Sequence, residues 1–166
     1  IEPHIKPYAD ALNKKLMGSP FVKELDSATY YTYLRSVEKE IKLFQENNIA
    51  LHAELNMLAQ HYGTITGKMS VTINEQEYTL QQAAKFLMQS DRSFREEVYI
   101  KMNERRKQDE DALNTLFDEL LQKRHQVALN AGFDNYRDYK FEELGRFDYT
   151  VKDCEHFHEA IKKYIT

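Results

Sequence analysis

The stretch GTITGKMS, residues 63–70, is the nearest approach in this chain to a phosphate-binding loop. Such a loop needs four residues between its glycines and Ser or Thr directly after the lysine, so that backbone amides surround the phosphates and the hydroxyl reaches magnesium. Three residues separate Gly63 from Gly67, and Met69 follows Lys68. The stretch is therefore predicted to be a turn that ends a helix rather than a nucleotide site.

A zinc site would need nitrogen, sulfur or oxygen ligands that converge on one point. His156 and His158 are two residues apart, so on a helix their side chains point in nearly opposite directions. His52 and His61 would be separated by about 13 Å along a helix axis. The H-E-x-x-H motif is absent from the sequence. We predict no metal site, and each histidine is interpreted as structural or solvent-facing.

Nucleophilic catalysis has one candidate, Cys154, which lies between the acids Asp153 and Glu155. Neighbouring negative charge disfavours a thiolate, whereas the N-terminal end of a helix favours one. We interpret Cys154 as an inert, half-buried thiol, and we predict no catalytic residue in the chain. A lone cysteine cannot form an internal disulfide, which favours a cytoplasmic protein.

The elements that position these residues are predicted to be mostly α-helices. The sequence has five glycines and three prolines, and between them apolar residues recur every three or four positions. We predict a helical array with one long helix, about residues 91–131, and a single small β-hairpin, about residues 68–80, with Asn74 in its turn. N-caps are expected at Ser27, Asn48, Thr79, Ser90 and Thr150. The long helix should end at Gly132 and turn ten apolar residues inward: Phe94, Val98, Met102, Leu113, Leu116, Phe117, Leu120, Leu121, Val127 and Ala128.

The overall composition fits one helical domain that spans residues 1–166. The chain has 166 residues, of which 42% are hydrophobic and 30% charged, with a net charge of -4. Because the charges of both signs are mixed along the sequence, no basic face is available for nucleic acid. No apolar run reaches the roughly 20 residues that span a bilayer, so we predict no membrane partner.

The richest candidate for a binding feature is the segment of residues 132–150, which we call the aromatic segment. Five closely spaced rings follow Phe133 in this segment, with Asp and Arg residues among them: Tyr136, Tyr139, Phe141, Phe147 and Tyr149. One interpretation is a loop packed flat on the helices, with arginine stems covering rings. The other is a direct role in ligand binding, for which Tyr136, Tyr139 and Arg146 are the candidates.

Four sequence patterns in the second half of the chain resemble one family. They are D-R-x-x-R-E from Asp91, LFDELLQKR, FDNYRDY directly after Gly132, and GRFDYT from Gly145. In this combination the chain resembles the region upstream of the catalytic half in oligoendopeptidase F-like zinc metallopeptidases, relatives of thimet oligopeptidase. The resemblance covers about residues 46–160, and the first 45 residues match more loosely.

The resemblance implies a helical ellipsoid split by a deep channel, with zinc and the H-E-x-x-H motif in a downstream half. The chain would then be a fragment of a cytoplasmic metalloendopeptidase that hydrolyses oligopeptides, and it would be inactive alone and bind no zinc itself. Its partners would be the oligopeptide substrate and the remainder of the peptidase chain. Tyr136, Tyr139 and Arg146 become substrate-channel candidates, and the aromatic segment a brace between the long helix and the last one. Apolar surface left by the missing half should make the fragment self-associate.

An alternative is a free-standing helical module that binds a protein partner through its aromatic segment or hairpin and has no enzymatic activity. The sequence that follows Thr166 in the gene separates the two hypotheses. A downstream H-E-x-x-H supports the peptidase, and a stop codon supports the module.

Overall fold

The computed structural model describes residues 2–165 and confirms a mostly α-helical fold with one small antiparallel hairpin. In chain order the elements are α1 (Glu2–Met17), the 3₁₀ helix η1 (Pro20–Glu24), α2 (Ser27–Leu43), α3 (Asn48–Gly67), β1 (Ser70–Ile73), β2 (Gln76–Thr79), α4 (Leu80–Ala83), the 3₁₀ helix η2 (Ala84–Met88), α5 (Arg92–Lys107), α6 (Glu110–Asn130), α7 (Tyr136–Glu143) and α8 (Val151–Tyr164). None of these helices is long and apolar enough to cross a membrane.

The described residues form two compact units. One unit contains the chain up to Ala53 together with the chain from Lys123 onward, and the other contains Glu54–Gln122. The single-domain organisation of the chain stays a prediction.

The unit of residues 54–122 has its core under the hairpin. Val71 and Ile73 point from β1 into an apolar cluster with Val98 and Met102 of α5. The strands pair with Ile73 opposite Gln76, so that Asn74 and Glu75 form a two-residue turn with φ values of 51° and 64°. This left-handed pair is what a tight hairpin requires, and it confirms Asn74 in the turn. The hairpin rests on helices because two strands alone are marginal in water.

The predicted long helix of residues 91–131 is wrong in one respect, since it is two helices, α5 and α6, separated at Gln108 and Asp109. The amide of Asp109 donates to the carbonyl of Arg106 at 3.2 Å, which is a tighter turn than the α-helical one. The Asp109 carbonyl then accepts from Leu113 to begin α6, and its carboxylate pairs with Arg105 at 2.5 Å. The surrounding residues are almost all charged, so no apolar contact holds a continuous helix here.

The other unit is built around α2, which packs against α1 and α7. The end of α6 is its most buried part, where Val127 and Ala128 are fully enclosed. Gly132 takes φ +80°, and the amide of Phe133 donates back to the Ala128 carbonyl at 3.0 Å. This is the predicted glycine stop, with a hydrogen bond that closes the last turn.

Some of the predicted helix caps are confirmed and others are wrong, and the side chains at each helix start explain the difference. Thr79 and Thr150 each cap a helix reciprocally with the third residue of that helix, as predicted. The caps at Ser27 and Ser90 are wrong, because the carboxylates of Asp26 and Asp91 accept the amide hydrogen bonds instead. Asn48 is also not a cap. It is the first residue of α3 and is buried against α6.

Candidate functional site: the aromatic segment

The backbone of the aromatic segment is set by local signals at both ends and in the middle. Asn135 caps α7 by accepting the amide of Asp138 at 2.9 Å. The helix ends at Glu143, and Gly145 reverses the chain with φ +66°, a conformation that suits a residue without Cβ. Thr150 then starts α8. The segment is thus one short helix between two left-handed glycines, Gly132 and Gly145.

Two of the three predicted site residues, Tyr136 and Tyr139, form one cluster. Their rings stack at 5.8 Å between centroids, and Phe133 meets the edge of Tyr139 at 5.6 Å. Tyr139 is 3% exposed, whereas Tyr136 is half-buried with Arg124 of α6 5.9 Å from its ring. Offset and edge-to-face ring pairs are favourable beyond the area they bury. Tyr139 therefore contributes to the structure mainly by packing.

Burial raises the pKa of the Tyr139 phenol to about 12, and the nearby charge of Glu143 acts in the same direction. At neutral pH the phenol is fully protonated. It can donate a hydrogen bond, but it cannot serve as a base.

This pKa predicts a pH dependence of stability. The unfolded phenol ionises near pH 10 while the folded one keeps its proton up to about 12, so the stability contributed by the neutral form is lost as pH rises through that window. Thermal unfolding followed from pH 9 to 12 should show a steeper loss for the unaltered chain than for Tyr139→Phe. Parallel curves for the two proteins would contradict the raised pKa.

The third predicted site residue, Arg146, lies in a different cluster. Its guanidinium carbon is 5.4 Å from the ring centre of Phe141, which meets Tyr149 edge-on at 5.5 Å. The Arg146 residue as a whole is exposed. The structure thus brings Tyr136 and Tyr139 together and places Arg146 beyond the other end of α7.

Helix α2 supplies contacts that the sequence did not predict. Lys42 pairs with Glu142 at 3.1 Å, and Lys39 donates to the Glu143 carbonyl at 3.2 Å. Arg35 lies over the Phe147 ring at 4.2 Å. The three cations are spaced four and three residues apart, so they lie on one face of α2. This spacing could have indicated, from the sequence alone, that the three side chains contact the same segment.

Helix α8 is joined to the segment by Arg137, which bonds Asp138 at 2.8 Å and Glu155 at 3.2 Å. The hydrogen bonds from Arg137 and then Asn135 hold the pKa of Asp138 below its usual value. The contacts of the aromatic segment with α6 and α8 agree with its predicted role as a brace between these helices. Its contacts with α2 anchor it at a further place. Because the Arg137 pairs are exposed, they specify geometry more than stability.

The other chemistry-bearing residues do not assemble around this segment. Within residues 2–165, no three His, Cys, Asp or Glu side chains converge in a way that could hold a metal ion. Cys154 is half-buried in the first turn of α8.

Residues 86–166 match the family model described as peptidase family M3. The whole fold is similar to that of a protein assigned as an oligoendopeptidase F from Bacillus anthracis str. Ames, with a TM-score of 0.89 and 23% identity over 98% of this chain. A second solved structure of a protein assigned as oligoendopeptidase F has a TM-score of 0.90 and 26% identity over 99% of this chain. The resemblance to the oligoendopeptidase F group is confirmed.

The fold is also similar to that of PZ peptidase A, solved with an inhibitor, at a TM-score of 0.90 and 23% identity over 99% of this chain. No curated protein matches the sequence significantly. The chain spans 29–30% of the length of these three solved chains, so it corresponds to a part of each of them.

Proposed function

We propose that this chain is a fragment of a zinc-dependent metalloendopeptidase that hydrolyses oligopeptides, and that it forms part of one wall of the substrate channel. The observation that carries the proposal is the M3 family match over residues 86–166. Its support is the fold likeness to solved peptidase structures that are more than three times as long. The parent enzyme is proposed to act in the cytoplasm.

The described residues do not fit a zinc site, because no three metal-ligating side chains converge among them. A catalytic zinc in a peptidase requires three protein ligands and an open position for water. We propose that the ligands and the general base belong to the remainder of the parent chain. The chain alone would then not cleave peptides.

The aromatic segment suits a wall that must keep its shape while a flexible peptide passes. Its buried member, Tyr139, holds α7 in place, while Tyr136 and Arg146 retain groups that solvent can reach. A phenol and a guanidinium can donate to the carbonyl oxygens of an extended peptide. We propose Tyr136 and Arg146 as peptide contacts, and Tyr139 as a channel residue that acts mainly through packing.

The test is made on the complete peptidase with zinc and a fluorogenic oligopeptide. We expect Arg146→Ala to raise KM about 3- to 10-fold, the loss of one hydrogen bond from a charged donor, with an unchanged melting temperature. The matched control is Arg92→Ala, which removes an exposed arginine at the start of α5. Unaltered KM in both Arg146→Ala and Tyr136→Ala would leave the segment as a brace alone. Peptide cleavage by the purified 166-residue chain would refute the assignment of the catalytic centre to the remainder.

Helix α8 exposes an apolar face, which supports the proposal that the parent protein supplies a neighbour for it. Its residues Phe157 and Tyr164 are 63% and 75% exposed, and Ile161 lies on the same face between them. We propose that the remainder of the parent chain covers this face, and that the chain alone self-associates through it. Light scattering should show a mass that rises with concentration, and less so for Phe157→Ser. A constant monomer mass would refute the self-association.

A further inference from the structure

Arg35 of α2 has an unusual environment for an arginine. Its guanidinium carbon lies 4.2 Å from the ring centre of Phe147 and 5.1 Å from that of Tyr31. Its Nε is fully buried and has no hydrogen-bond partner, a condition shared within residues 2–165 by one other side-chain atom, Asp10 Oδ1. The two terminal Nη groups have no partner in the described chain either, and they are not among the buried atoms. The Nη atoms of Arg35 therefore keep some contact with solvent, although the residue as a whole is half-buried.

Other arginines among the described residues use at least one guanidinium nitrogen in a polar contact. Arg95 donates to the carbonyls of Gln89 and Ser90, Arg105 pairs with Asp109, and Arg137 pairs with Asp138 and Glu155. Arg35 has ring contacts on α2 and in the aromatic segment and no ion pair among the described residues. Its side chain is held in place, and its charge is not neutralised.

A second cation, Lys39, lies near Phe147. A Cβ added at Gly145 would meet Phe147 Cε2 at 3.5 Å and Lys39 Nζ at 3.8 Å, so these two atoms approach the same point. Lys39 donates to the backbone carbonyl of Glu143 and, within the described residues, makes no ion pair with a carboxylate. Two positive charges thus lie near one ring, and neither forms an ion pair with a carboxylate of the described residues.

These features match what a carboxylate needs. Nη1 and Nη2 of a guanidinium form a planar fork that meets both oxygens of a carboxylate at once. Ring contacts already restrict the side chain, so less conformational entropy is lost when an anion binds. Partial burial also weakens solvent screening of the attraction.

We propose that Arg35, with Lys39 beside it, is a binding site for a carboxylate group that the described chain does not supply. The carboxylate belongs to a bound peptide, as its C-terminus or an acidic side chain, or to an Asp or Glu elsewhere in the parent protein. The site is independent of the proposed peptidase activity. An absence of cleavage by the parent would refute that activity and leave the carboxylate site standing.

The first experiment uses this chain and two probes, acetyl-trialanine with a free C-terminus and the same peptide as its amide. The Arg35 Nε–H signal is followed by NMR during titration. We expect the acid to shift this signal to saturation and the amide to leave it unchanged. Equal effects of acid and amide, or no effect of either, would overturn the proposal. This comparison needs no variant, so it does not depend on the folding of a mutant.

Variants then assign the interaction to Arg35. Arg35→Gln should weaken binding of the acid at least tenfold, the equivalent of one charge-assisted hydrogen bond. Arg35→Lys keeps the charge but loses the fork, so we expect an intermediate affinity. Arg92→Gln is the matched control, because Arg92 is exposed and has no ring contact among the described residues. Equal affinity of Arg35→Gln and the unaltered chain for the acid would overturn the proposal.

The source of the carboxylate is decided in the complete parent protein. If the peptide supplies it, the acid again shifts the Arg35 signal, and Arg35→Gln raises KM about tenfold for the free acid alone. If the parent chain supplies it, the acid no longer shifts the signal and Arg35→Gln lowers the melting temperature. Both results support the site. A parent protein in which neither the acid nor Arg35→Gln has any effect would contradict it.

Discussion

Replacing Tyr139 with alanine is expected to lower the free energy of unfolding by about 3–5 kcal/mol, the range for removal of a buried aromatic side chain. The ring is 3% exposed and contacts Phe133 and Tyr136 on two sides. Its loss would leave a cavity under α7 and remove both ring pairs. Urea unfolding monitored by circular dichroism measures the change directly, and a lower midpoint with a constant slope would show that stability alone has changed.

Two matched variants separate packing from other effects. Tyr139→Phe keeps the ring and removes a hydroxyl that has no hydrogen-bond partner among the described residues, so the expected loss is under about 1 kcal/mol. Tyr149→Ala removes an aromatic side chain of the same segment that is 45% exposed, and it should also cost about 1 kcal/mol or less. Similar losses for Tyr139→Ala and Tyr149→Ala would contradict the assignment of Tyr139 as the packing centre.

Local chemistry made much of the fold predictable from the sequence. The hairpin, the glycine stop at Gly132 and the caps at Thr79 and Thr150 each depend on residues within a few positions of one another. A threonine hydroxyl followed by a polar side chain three residues later satisfies both free amides at a helix start. The caps at Ser27 and Ser90 failed because each serine has an aspartate beside it, Asp26 before Ser27 and Asp91 after Ser90, and a carboxylate is the stronger acceptor there.

Burial was less predictable than secondary structure. Leu116, Val127 and Ala128 of α6 are buried as predicted, but Phe117 and Leu121 are 55% and 47% exposed. Helical periodicity identifies residues that are apolar and share a face, but it does not identify what covers them. The break between α5 and α6 was missed for a related reason. Charged residues have adequate helix propensity, so no local sequence signal ends the helix at this position. The helix breaks because these residues have no apolar packing to hold it.

The candidate site was predictable in composition and not in its contacts. The density of rings pointed to residues 132–150, but the anchors on α2 are about a hundred positions away, and Lys39 and Glu143 are 104 positions apart. A single sequence carries no pairing information over that distance. The environment of Arg35 could not be predicted either, because the ring nearest to its guanidinium, Phe147, is also distant in the sequence.

The buried Asn48 is expected to give the second large effect. Its Nδ2 donates to the Val127 carbonyl at 3.0 Å, and its Oδ1 accepts from Asn130 at 2.8 Å, so it joins the start of α3 to the end of α6. The Val127 carbonyl can only accept a hydrogen bond, which fixes the orientation of the amide. We expect Asn48→Asp to lower the free energy of unfolding by about 2–4 kcal/mol at pH 7, because a buried carboxylate would face a carbonyl oxygen.

The pH dependence of Asn48→Asp tests this orientation. A protonated carboxyl is nearly isosteric with the amide and has one hydroxyl that can donate to Val127. Burial beside a carbonyl raises the pKa of the introduced acid in the folded state, so the lost stability should return as pH falls toward about 4, where the unfolded acid also protonates. The unaltered chain at each pH is the reference, which removes the general effect of acid. Asn48→Ala lacks any donor and should show no such recovery. A difference between Asn48→Asp and the unaltered chain that stays constant from pH 7 to 4 would mean that the Val127 carbonyl does not depend on this donor.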